Sequence, residues 1–272
     1  MATTMDRPGV APVHPRPKRR ASWPVAFYRS GVGKKWVMAV TGLMLIGFVF
    51  FHAVGNLKVY LGAEEFNHYG EFLREVLVPL LPRTVALWIV RLGLIAAFVL
   101  HIHSAYGLTR MNMRAAAGGY QQDRDWQAAT AASRTMRWTG VIVALFLLFH
   151  LLDLTWGTAN PDFVRGDVYR NFVATFSRPL VAVIYIVANV ALGLHLFHGA
   201  WSMFQSMGVN NPRWNSWRRT FALGVAALIT AMNIMFPISV LTGVVEADDN
   251  PDCRTDGDVI IGCTEYEAEA AR

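Results

Sequence analysis

The sequence predicts an all-α integral membrane protein: a bundle of five transmembrane helices, N-terminus cytoplasmic and C-terminus outside. Three observations lead there. Of 272 residues, 54% are hydrophobic and only 16% charged, which is too apolar for a soluble domain of this size. Five segments each offer the roughly 20 largely uncharged residues that a bilayer crossing needs. The basic residues then sort onto alternate connections, which fixes the orientation by the positive-inside rule.

The elements follow in order. Residues 1–35 form a basic cytoplasmic tail, whose Pro- and Arg-rich part, Pro8–Arg20, reads as disordered chain lying on anionic lipid or on a partner subunit. The first span, Trp36–Leu57, is too long and too far from Met1 for a cleaved signal peptide, so it stays as structure. Residues 62–81 are apolar on one side and carry Glu64, Glu65, Glu71, Arg74 and Glu75 elsewhere. They predict an interfacial amphipathic helix closed by Pro79 and Pro82. Four more spans are expected over Thr84–Leu108, Trp138–Trp156, Pro179–Met207 and Phe221–Val245, completing a transmembrane domain over 36–245. The tail 246–272 is acidic and holds both cysteines, Cys253 and Cys263. The nine intervening residues suit a small disulfide loop in an oxidising exterior.

Sixteen of the 25 Lys and Arg residues fall on the N-terminal arm and the second-to-third and fourth-to-fifth connections; eight fall on the opposite side. This asymmetry accounts for the net charge of +6 without nucleic acid, which is not expected as a partner. Most tryptophans mark span ends, as an interfacial belt does.

The chemistry rests on histidines. His52, His103, His150 and His195 lie inside four separate spans, where an unpaired imidazole is costly and a functional role is the default reading. The first and third spans run outward and the second and fourth return. The histidines therefore sort into an outer pair, His52 and His150, and an inner pair, His103 and His195, with some 20 Å between levels. Facing helices of a bundle build cofactor sites in this way.

Gly42, Gly93 and Gly140 each precede a histidine (His52, His103, His150) by ten residues. Ten residues rise about 15 Å and stop about 80° short of three turns. Each glycine then sits near the other pair's level, where a bare helix surface admits a flat macrocycle. Small residues for close helix contact are the plainer explanation of any one of them. Two choices stay open on spacing. His101 and His103 point about 200° apart, so one faces inward; His103 is preferred because Gly107 follows it by four. His195 is preferred over His198 because Gly199 follows it by four, although depth counting leans to His198.

Two levels so far apart exclude one zinc ion. The spans offer only Arg91, Asn189, Asn233 and the end-lying Asp153 as other polar groups of this kind, so no proton wire is visible and transport is disfavoured. Two haems held by paired axial imidazoles fit best. A haem-free structural anchor is the alternative from another class.

At these residues the chain resembles the dihaem cytochrome b membrane anchor of succinate dehydrogenases and fumarate reductases. The resemblance runs over FFHAVGN at His52, GAEEFNHY at 62–69, HSAYGLTR from His103, LLFHLLDLTW at His150 and HLFHGAWSMF from His195, within 28–245. It implies that His52 and His150 ligate an outer haem b, and His103 and His195 an inner one. It also implies a bacterial plasma membrane, a flavoprotein and an iron–sulfur subunit docked on the cytoplasmic side, and electrons passing through both haems to quinone, with menaquinone expected. The anchor of a formate dehydrogenase or hydrogenase is the second reading.

Two axial imidazoles leave iron no open position, so electron transfer is the expected chemistry. Candidate quinone contacts are Lys58, His68, Glu64, Glu65 and Asp153 at the outer level, or Arg29, Ser30 and Trp36 at the inner. Arg110, Arg134 and Arg137 are candidates to neutralise haem propionates.

Overall fold

The computed structural model describes residues 22–115, 131–209 and 211–247, and the backbone of 254–256 and 259–261. Eight helices make up most of it: α1 (Trp23–Arg29), α2 (Gly31–Asn56), α3 (Ala63–Glu75), α4 (Val85–Ala115), α5 (Ala131–Leu154), α6 (Val168–Phe176), α7 (Pro179–Ser206) and α8 (Pro212–Leu241). Residues 254–256 and 259–261 pair as a short antiparallel hairpin. Cys253 and Cys263 lie outside the described residues.

Five helices, α2, α4, α5, α7 and α8, are long and apolar enough to cross a membrane. Their large side chains face outward as lipid-facing ones do: Leu180 is 74% exposed, Phe51 70% and Leu145 64%. Much of what they bury is small. Ala182, Ala188, Ala191 and Ala200 of α7, with Ala222 and Ala226 of α8, line the interior. Without a hydrophobic drive between helices in lipid, such close approach is what holds them together. Gly193 makes it tightest, since a Cβ there would fall 2.3 Å from Thr230 Oγ1.

The ends are defined by caps. Ser30 breaks α1 from α2 and accepts a hydrogen bond from the Gly33 amide at 2.9 Å, satisfying one of the orphan donors of α2. A helix does form within 62–81, as α3, shorter than expected because the chain leaves helical geometry after Glu75. Two short helices were not expected from the sequence, α1 within the tail and α6 between the third and fourth spans. Asp167 caps α6 by accepting from the Arg170 amide at 2.9 Å.

Helices α3 and α6 close one end of the bundle. Phe66 and Phe172 meet edge to face at 5.8 Å, and Phe172, Phe176, Tyr185 and Phe236 continue the cluster. Asn67 ties the two helices, donating to Asp167 Oδ1 at 3.1 Å and accepting from the Tyr169 amide at 3.0 Å. This is the end that the charge distribution assigns to the outer face.

Candidate functional site: two imidazole pairs in the bundle

His52 of α2 and His150 of α5 approach each other near the α3–α6 end, with ring centres 5.9 Å apart. Each ring is held from behind. The Asn56 carboxamide lies 3.4 Å from His52 Nδ1. The Tyr185 hydroxyl lies 3.4 Å from His150 Nδ1 and donates its proton to Asp153 Oδ2 at 3.1 Å. Its oxygen is therefore the acceptor from His150. Asp153 is fully buried and ion-paired to Arg178, which also donates to the Ala159 carbonyl at 2.9 Å.

The second pair departs from expectation. His101, not His103, faces His195, with ring centres 6.4 Å apart. Residues two apart on a helix project to opposite sides, so one orientation excludes the other. His103 is turned away and exposed, stacked on Tyr28 and hydrogen-bonded to its hydroxyl. Gly107, four residues beyond His103, lies against the Lys34 side chain and not beside an imidazole pair. His195 holds its preferred place, whereas His198 packs edge-on against Trp201 and its Nδ1 has no hydrogen-bond partner among the described residues.

The rings of this pair are anchored by matching devices on two helices. Thr41 Oγ1 donates to the Val37 carbonyl at 2.7 Å and lies 3.2 Å from His101 Nδ1. Thr139 Oγ1 donates to the Met136 carbonyl at 3.1 Å and lies 3.4 Å from His195 Nδ1. Hydroxyls already committed as donors can only accept, which keeps the proton on the anchored nitrogen. The other nitrogen retains its lone pair, as a metal ligand requires. The adjacent glycines pack on the same rings: a Cβ on Gly42 would sit 3.3 Å from His101 Cε1, and one on Gly140 3.4 Å from His195 Cε1. Gly93 faces open space. Because Gly42 is level with His101 and precedes His52 by ten residues, the two pairs are about 15 Å apart along α2, nearer than the expected 20 Å.

Two imidazoles on opposite sides of one metal, each bonded at about 2 Å, place their ring centres roughly 6 Å apart. Both pairs match. Among the described residues no third His, Cys, Asp or Glu joins either pair, so neither offers an ion the four protein ligands of a structural zinc site. A haem brings four nitrogens of its own and asks for two axial ligands. The donor set fits that group.

The remaining candidates are scattered. Lys58 pairs with Glu65 at 3.2 Å on the surface, and Glu64 and His68 are exposed. Ser30 is occupied as a cap, Arg29 and Trp36 are exposed, and Arg110 lies over Tyr106. Arg137 is exposed, and the Arg134 side chain lies outside the described residues. Arg91 snorkels over Trp88. Asn189 and Asn233 donate to carbonyls one turn back on their own helices, at 2.9 and 2.8 Å, and form no polar path.

No curated protein and no solved structure matches the chain. A protein-family comparison does: residues 120–234 match the succinate dehydrogenase/fumarate reductase transmembrane subunit. That stretch includes α5 and α7, with His150, His195 and the Thr139–Gly140 anchor. Over that stretch, less than half of the chain, the protein is similar to succinate dehydrogenase/fumarate reductase transmembrane subunits.

Proposed function

We propose that the chain is the cytochrome b membrane anchor of a succinate:quinone oxidoreductase, holding two b haems and passing electrons from an iron–sulfur partner to membrane quinone, menaquinone by expectation. The observation that carries this reading is the double imidazole pairing, with every ring fixed by a side chain on its far nitrogen. His52 and His150 would hold one haem, and His101 and His195 the other; this replaces His103 as the fourth ligand. Bis-imidazole haem supplies one-electron transfer and leaves no iron position for oxygen.

The chain's own contribution is positional. Thr41, Thr139, Asn56 and Tyr185 set ring orientation, Gly42 and Gly140 clear the faces beside the inner pair, and the apolar spans keep water from both. Succinate oxidation belongs to a flavoprotein partner. The basic connections, on the cytoplasmic side by charge, would form the docking surface for it and for the iron–sulfur subunit.

The family match favours this complex over the anchor of a formate dehydrogenase or hydrogenase. A reduced-minus-oxidised spectrum tests the reading. Two low-spin b haems per chain are expected, His52→Ala or His150→Ala removing one and His101→Ala or His195→Ala the other. A colourless chain from a haem-replete host would leave only a structural anchor.

A further inference from the structure

Lys34 stands in the first turn of α2 and is 9% exposed. Among the described residues no ion pair includes it. Its ammonium sits 4.4 Å from the centre of the Tyr28 ring. The side chain lies along Gly107 of α4, where a Cβ would come within 3.2 Å of Nζ. The Tyr28 hydroxyl bonds His103 and reaches Ser104 Oγ, a buried atom, at 3.4 Å. Segments α1, α2 and α4 thus converge on a polar cluster that, among the described residues, contains no carboxylate. An aromatic face offsets the charge of a lysine buried to this extent only in part. An anionic group would complete it.

Position narrows the ligand. Lys34 precedes Thr41 by seven residues, close to two turns, so both lie on one face of α2 about 10 Å apart along its axis. Thr41 anchors His101. Gly107 follows His101 by six residues on α4. The ammonium is therefore displaced from the His101–His195 pair towards the end where α2 begins.

We propose that Lys34, flanked by Tyr28 and His103, seats an anionic oxygen group, a carboxylate or a phosphate. Two sources share that chemistry: a propionate of the haem at the His101–His195 pair, which rests on the function proposed above, and the headgroup of an anionic phospholipid. The seat is distinct from the arginines 110, 134 and 137 that the sequence offers for that task.

The test uses the full chain purified with its partner subunits. Lys34→Met keeps the length of the side chain and removes its charge; Lys34→Arg retains the charge. Redox titration of both haems is combined with an assay of phospholipid phosphorus per protein. If a propionate is seated, loss of the cation stabilises the oxidised form. The one-electron equilibrium of the His101–His195 haem then falls about tenfold, a 59 mV drop, the other haem is unchanged, and Lys34→Arg recovers the value. If a headgroup is seated, both potentials hold and Lys34→Met loses bound phospholipid that Lys34→Arg regains. Parental potentials together with parental phospholipid content overturn the proposal. Absence of b haem from the parent complex overturns the function instead and leaves the phospholipid measurement to decide the seat. Should Lys34→Met not assemble, Lys34→Gln gives the same readouts.

Discussion

Helix geometry allows only one of His101 and His103 to face the bundle, and the chain resolves the choice through their neighbours. Thr41 waits behind His101, and Tyr28 draws His103 away. Replacing His103 by alanine is expected to leave both haems in the difference spectrum, whereas His101→Ala removes one. The reverse result would restore the assignment made from the glycine spacing. The two pairs also differ in their backing. His150 is tied through Tyr185 to the buried carboxylate of Asp153, while His101 and His195 lean on neutral hydroxyls. A carboxylate-backed imidazole is the more basic ligand and favours ferric iron. Tyr185→Phe is therefore expected to raise the potential of the His52–His150 haem alone, by on the order of 60 mV for a tenfold change. Equal shifts in both haems, or none, would count against this relay. The residue-level signal for His52, His150 and His195 was legible because each is an isolated imidazole in an apolar run. His101 was obscured because facing, unlike depth, depends on the packing partner across the helix.

At the scale of elements, all five spans were legible from hydropathy, with boundaries displaced by a few residues at most ends. The larger shifts came where helices continue beyond the bilayer, as α4 does to Ala115 and α8 does back to Pro212. Helix α6 carried signals that went unread. Asp167 precedes it as a cap, and Tyr169, Phe172, Val173 and Phe176 repeat at the spacing of one helical face. Likewise Ser22 and Pro24 announce α1. Nine- and seven-residue helices are too short for hydropathy windows tuned to membrane crossings. The α3–α6 closure depends on Asn67, which serves both helices at once. Asn67→Ala is expected to cost about 1–3 kcal/mol, and Phe172→Ala, which empties the aromatic cluster, about 3–5 kcal/mol. Thermal denaturation of the purified complex measures both. The His101–His195 haem should survive each change, because its anchors lie on α2 and α5 rather than on the closure.

For the whole molecule, orientation is carried by charge. Sixteen basic residues on one set of connections against eight on the other predict that an N-terminal epitope is reached by antibody only in inverted vesicles. A C-terminal one is then reached only in right-side-out vesicles. Opposite accessibility would reverse which pair lies nearer the cytoplasm. The arrangement has a further result. Helix α2 gives His52 to one pair and Thr41–Gly42 to the other; α5 does the same with His150 and Thr139–Gly140. Ten residues of unbroken helix separate the two duties in each case. The interval between the two imidazole pairs is thus a ruler written into two covalent backbones, indifferent to how loosely the lipid-bathed helices slide against one another. Lengthening either ruler by a single residue would rotate its imidazole out of register while leaving the threonine in place.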